Sequence, residues 1–271
     1  MSEPTLSLAK DDLESLIGDF LGYGFGAKFG DVAWDTTQQR VITEVRHSGE
    51  RQFYEPPAIP ELKVPAGYKW SFLQPVAALT LHQNTALLPM PDDFGGFEGE
   101  ITISIPTGVA WWPVKLGSIG DVYQQTAKYP TTTGRPWLAC LEALKGTGPF
   151  TGSRSQLHVW PIPDQEYRIQ FRYYLCPDAM TDANPYCYGG TVHADTIKAS
   201  CLAVAEVERD DMVGVRDQRW KERLATSVAI DKRMKPQTHG YNGDRSDRLN
   251  RRWGPFWHGY STITVDGMVP G

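Results

Sequence analysis

Asp164 and Glu166 are the side chains whose type and spacing best suit chemistry. Two carboxylates this close in sequence can act as the acid and base of glycoside cleavage, with Trp70, Trp111, Trp112, Trp137 and Trp160 as sugar platforms. They fall, however, at a turn built on Pro161-Ile162-Pro163-Asp164, where aspartate serves local hydrogen bonding. No GxSxG or HExxH context supplies a nucleophile or a catalytic metal. His193 and Asp195 form an HxD pair near Cys187, yet they occupy the first turn of an expected helix, where the dipole alone favours an acid. Metal ligation needs more convergent ligands than the spacing offers. Gly22-Tyr23-Gly24-Phe25-Gly26 with Lys28 lacks both phosphate-loop spacings and reads as a helix end followed by a loop. Glu206, Glu208, Asp210 and Asp211 spread around a helix as a solvated face. The expectation is of a chain that is not an enzyme, with no catalytic, cofactor-binding or metal residues.

Binding chemistry is concentrated at the C-terminal end. Between Lys232 and Arg252 stand Lys232, Arg233, Lys235, Arg245, Arg248, Arg251 and Arg252, seven cations against Asp244 and Asp247, a local net of +5 in a chain whose total is -5. Trp253, Phe256, Trp257 and Tyr260 follow at once, and large aromatics beside arginines are the usual anchors of protein interfaces. A solvated disordered end is the alternative. These eleven residues are the expected partner-binding set, on an arm that orders against another protein.

The elements that must position this arm follow from hydrophobic period. Leu13, Leu16, Ile17, Phe20 and Leu21 behind Asp11 and Asp12 predict a short amphipathic helix ending at Gly22. Beyond the anchor Trp34, Asp35 is placed to cap a second helix running to Tyr54, with Val41, Ile42, Val45 and Phe53 on one stripe. From Pro56 to Cys176 short alternating runs predict strands at Trp70 to Leu81, Glu100 to Ile105, Ala110 to Val114 and Pro136 to Leu144, with a short helix from Ser118 to Lys128. Leu157 and Val159, then Tyr167, Ile169, Phe171, Tyr173 and Leu175, predict two strands paired as a hairpin through the prolines. Thr191 is placed to cap a helical stretch that continues to Met234 with a break at Gly214.

Composition fits this plan. At 271 residues and 41% apolar the chain can bury a sizeable core, and no run approaches the ~20 apolar residues a membrane span needs. Export and membrane anchorage are not expected. Cys140, Cys176, Cys187 and Cys201 have no metal spacing and read as reduced thiols, a Cys176–Cys187 bridge being the alternative. The fold class expected is α+β: a bundle of N- and C-terminal helices (1–56 and 179–235) with an inserted β-rich domain (57–178) and an extended arm (236–271).

In that order of elements the chain resembles the head-to-tail adaptor (connector, or gatekeeper) proteins of tailed bacteriophages. LSLAKDDLESLIGDFLGYG is similar to their first helix, and LLPMPDDFGGFEGEITI to a turn and strand of theirs. HVWPIPDQEYRIQFRYYLCPDAMTDANPY resembles their hairpin and exit loop, and HADTIKASCLAVAEVERDD the helix that follows. The resemblance spans most of residues 6–235 and leaves the tail from Gly240 least constrained. It implies a virion protein, assembled from host cytoplasm as a ring of about twelve copies. Its partners would be the portal protein, a tail nozzle or further connector, and genomic double-stranded DNA that passes through the lumen without specific recognition. The competing classes are a virion-associated glycoside hydrolase and a glycan-binding module.

Overall fold

Two helices start where the sequence provides reciprocal caps. The computed structural model describes residue 4 and residues 6–106, 111–144 and 154–234. Asp35 Oδ1 accepts the N–H groups of Thr37 and Gln38 at 2.7 and 2.8 Å, and Gln38 Oε1 accepts that of Asp35 at 3.0 Å, opening α2 (Thr36–Tyr54). Ser118 and Asp121 make the same exchange at the head of α3 (Ile119–Lys128). Helix α1 (Lys10–Phe20) carries Asp11 and Asp12 in its first turn, as expected from the dipole. The long helical stretch divides into α4 (Gly190–Asp210) and α5 (Val215–Met234), with the break at Gly214. Thr191 does not cap α4. The cap is Gly189, at φ 97°, where a Cβ would lie 3.0 Å from the Phe72 ring and 3.1 Å from that of His193. Thr191 lies inside the first turn, and its hydroxyl meets that of Ser7 at 2.9 Å.

Seven strands form one sheet in the order β1-β7-β3-β4-β5-β6-β2. They are β1 (Val76–Leu81), β2 (Leu87–Pro89), β3 (Phe94–Ser104), β4 (Trp112–Leu116), β5 (Leu138–Leu144), β6 (Arg154–Trp160) and β7 (Tyr167–Leu175). Neighbours are antiparallel except β4 and β5, which run parallel and share two residue pairs, Lys115 with Leu138 and Leu116 with Ala139. The expected hairpin of β6 and β7 is not formed. β6 pairs with β5 and β2, while β7 pairs with β1 and β3. The two prolines supply no N–H for a tight turn. The segment is held by other loops instead, Ile162 bonding to Thr132 and Gly134, and Pro163 O accepting from Asn84 at 2.9 Å. Each strand nevertheless alternates as read, with Tyr167, Ile169, Phe171, Tyr173 and Leu175 all facing the core.

Strand boundaries move where glycine and tryptophan dominate. Residues Ser71–Leu73 form a 3-10 turn rather than the start of β1, because Trp70 is fully buried and its indole donates to Phe53 O at 3.1 Å. β3 begins at Phe94 rather than Glu100, and its pairing with β7 slips between Glu98 and Thr102 as a bulge. Short β2 was not foreseen.

Among the described residues the structure is a mixed α+β fold of five helices and a seven-stranded sheet. Helix α2 lies on α4, where the Ser200 hydroxyl donates to Gly49 O at 2.8 Å, and α4 lies on α5, where Thr196 and Ser227 hydroxyls meet at 2.6 Å. One buried cluster runs from Leu13 and Ile17 of α1 through Phe53, Trp70 and Phe171 to Trp220 and Val228 of α5. A smaller one, Val122, Leu138, Cys140 and Trp160, lies between α3 and the β5–β6 pair. No described helix is long and apolar enough to cross a membrane.

Candidate partner-binding surface

Helix α5 turns Trp220, Leu224, Ser227, Val228 and Asp231 inward. Tyr68 and Ser71 hold the Asp231 carboxylate, at 2.7 Å from the tyrosine hydroxyl and 3.1 Å from the serine N–H. Helical spacing then sets Arg216, Arg219 and Arg223 in one row along the adjacent side. Together with Lys198 and Asp195 of α4 they line a cleft of about 140 Å³ floored by Ala199 and Leu202. Four cations face one carboxylate there, Asp195, whose oxygen is 3.6 Å from Arg223 Nη1. Sequence reasoning placed the positive charge in the tail and missed this row, although its three- and four-residue spacing was legible.

The turn between α4 and α5 has the opposite chemistry. Met212, Val213 and Val215 are 70%, 68% and 79% exposed, an apolar tip with no cover among the described residues. Glu206 does not belong to a solvated face: its carboxylate accepts the Arg216 N–H at 2.9 Å and caps α5. Asp210 pairs with Arg209 at 2.8 Å, Asp211 ends α4 in a left-handed conformation, and Glu208 is exposed.

Of the expected partner-binding residues, Lys232 and Arg233 are exposed on the last turn of α5, Lys232 Nζ lying 5.9 Å from the Tyr68 ring centroid. Lys235, Arg245, Arg248, Arg251, Arg252, Trp253, Phe256, Trp257 and Tyr260 lie outside the described residues.

The other candidates resolve individually. Asp164 accepts from the Tyr167 hydroxyl at 2.7 Å, whereas Glu166 stands 3.6 Å from His82, both exposed. Trp70 and Trp160 are buried, and Trp112 lies under the Arg135 guanidinium at 4.6 Å. The loop after α1 grips Trp34, whose indole donates to Gly24 O at 3.1 Å, and Lys28 pairs with Asp11. Cys140, Cys187 and Cys201 are buried and Cys176 is an exposed thiol, so the Cys176–Cys187 bridge is not made.

His193 and Asp195 diverge. Asp195 is exposed, while the His193 ring sits among Phe53, Trp70 and Phe72 with centroids at 6.1, 5.2 and 5.1 Å. Its Nδ1 has no hydrogen-bond partner among the described residues. Burial depresses its pKa below the ordinary 6.5, against the opposing charge of Asp231. The unfolded chain therefore takes up a proton that the folded chain refuses, and stability is lost as pH falls below about 6.5. His193→Phe is expected to gain about 1 kcal/mol at neutral pH and to flatten the fall in Tm between pH 7 and 5. A variant whose Tm falls as steeply as wild type would assign the acid sensitivity to another group.

The SU10 adaptor protein family model matches residues 47–252, about three quarters of the chain. The chain belongs to that family. No curated protein shows significant similarity to it. As a phage structural adaptor of this family, it is matched over the second half of α2, the whole sheet, α4 and the basic row of α5. The SU10 adaptor match differs from the resemblance read from phrases at both ends. It leaves out α1 and the Trp34 loop, and it continues past Met234 to take in the tail arginines up to Arg252. Trp253, Phe256, Trp257 and Tyr260 lie beyond it.

Proposed function

We propose that this chain is a head-to-tail adaptor of a tailed phage, a non-enzymatic virion protein that forms a ring of about twelve copies beneath the portal and continues the DNA channel toward the tail. The family match carries this reading. In it, helices α1, α2, α4 and α5 form the bundle (1–56 and 179–235), the sheet is the inserted domain (57–178), and residues 236–271 are the docking arm. A ring requires two different faces on each subunit, complementary to each other. Arg219 and Arg223 of the basic row and the Met212–Val213–Val215 tip support this as two exposed contact surfaces, each asking for its own complement on a neighbour, acidic for the row and apolar for the tip. An acidic chain also suits a lumen through which DNA passes without being held. The tail-side partner is a nozzle or further connector, and assembly takes place in host cytoplasm.

Light scattering and negative-stain imaging of the purified chain, alone and mixed with portal rings, test the reading. A monomer that forms rings on the portal is the expected result, and indifference to the portal overturns it. Deleting residues 240–271 is expected to leave a folded monomer that docks at least about tenfold more weakly. Undiminished docking by the truncated chain would remove the arm from the interface.

A further inference from the structure

The register of β5 on β6 sets Cys140 opposite His158 and Glu142 opposite Gln156. Opposed residues of an antiparallel pair share a face, and residues two apart on one strand share it as well. Four polar side chains are thereby gathered on the side covered by α3, beside the small Val122–Leu138–Cys140–Trp160 cluster. Glu142 Oε1 is 2.8 Å from His158 Nδ1 and 3.8 Å from Cys140 Sγ, and the three ligand atoms all lie within 4.8 Å of one another. Cys140 is 1% exposed, and the side chains of Glu142 and His158 are 11% and 12% exposed.

We propose that Cys140, Glu142 and His158 bind a divalent transition-metal ion of the zinc class. Sulfur, nitrogen and oxygen ligands at about 2.0–2.3 Å around a tetrahedral ion stand about 3–4 Å apart, a spacing these atoms reach with only small side-chain shifts. One thiolate, one imidazole and one carboxylate suit zinc and its neighbours better than magnesium or calcium. The second carboxylate oxygen is already held, by Gln156 Nε2 at 2.9 Å, and Tyr123 of α3 packs edge-on to His158 at 5.6 Å. Such outer partners orient a ligand set, here aiming Oε1 rather than Oε2 at the shared position. Burial and the neighbouring Glu142 keep Cys140 a thiol in the absence of a cation. On binding, the sulfur–hydrogen bond is exchanged for a sulfur–metal bond and one proton leaves to solvent. The +2 ion is then neutralised by the thiolate and the carboxylate. Spacing along the chain hides this set, since Cys140 and His158 sit on different strands and meet only through pairing.

Titration of the full chain with cobalt(II), followed by its near-ultraviolet thiolate-to-cobalt absorption, tests the site. One equivalent is expected to bind, to be displaced by one equivalent of zinc, and to lose the thiolate band in Cys140→Ser. Cobalt affinity should fall at least tenfold in His158→Gln, which keeps a side chain of similar reach should the cysteine variant fail to fold. Cys176→Ser should retain the band. Absence of a thiolate band in the wild-type chain, or its survival in a folded Cys140→Ser chain, overturns the proposal and leaves Glu142 and His158 as a structural ion pair.

Discussion

An Arg46→Ala chain is expected to lose about 3–5 kcal/mol of stability, because the guanidinium is buried between two carboxylates that would be stranded without it. Arg46 is 3% exposed. Its Nε is 3.1 Å from Glu14 Oε1 on α1, and its Nη1 is 2.6 Å from Glu50 Oε1 on α2 and 3.1 Å from the Met180 carbonyl. Glu50 Oε2 in turn accepts the Met180 N–H at 3.3 Å. One cation thus ties α1, α2 and the segment leading into α4. Burial raises the Glu50 pKa above its ordinary 4.5 even with Arg46 beside it. The ionised form therefore costs stability at neutral pH, and that cost fades as pH falls through the folded pKa toward 4.5. The deficit of Arg46→Ala should accordingly be larger at pH 7 than at pH 5, as measured by urea denaturation. A loss below about 1 kcal/mol at pH 7 would mean that the site relaxes or admits water.

Gly49→Ala is expected to cost about 2 kcal/mol or more, although alanine is the better helix former by about 1 kcal/mol. A Cβ at Gly49 would stand 2.5 Å from Cys201 Sγ, 2.6 Å from Cys201 Cα and 2.9 Å from Cys201 N. Two of those atoms are backbone, so no rotamer change clears them. Helices α2 and α4 would have to separate, stretching the Ser200 bond to Gly49 O. Cys201→Ala removes the sulfur alone and should not rescue the variant; full rescue in the thermal melt of the double variant would show that sulfur, not backbone, sets the approach. Arg46 and Gly49 are one turn apart, so their effects should not add.

Local signals were legible in the sequence. The cap at Asp35 is made within three residues, and the short helix from Ser118, the break at Gly214 and the alternation of Tyr167 to Leu175 follow from residue type and period. What pairs with what was not. Strands β6 and β7 are consecutive in the chain, but the prolines between them deny the turn its donors, and the strands end up on different partners. Gly49 and Arg46 lie on the stripe of Ile42, Val45 and Phe53, which hinted that both were buried, yet their partners come from α4, α1 and Met180. The basic row of α5 was legible from spacing and was eclipsed by the denser charge of the tail.

The parallel contact of β4 with β5 joins the two halves of the sheet by two residue pairs, while the flanking β5–β6 pair is joined by seven. Directional bonding across the sheet is thinnest along this seam. The load that crosses it is carried mainly by side-chain dispersion, which tolerates a few degrees of tilt far better than a ladder of hydrogen bonds does. The lamina of β5, β6 and β2, with α3 on its face, is therefore the compliant part of the fold. Angular strain imposed from outside would collect at Lys115 and Leu116 before it reached the helices.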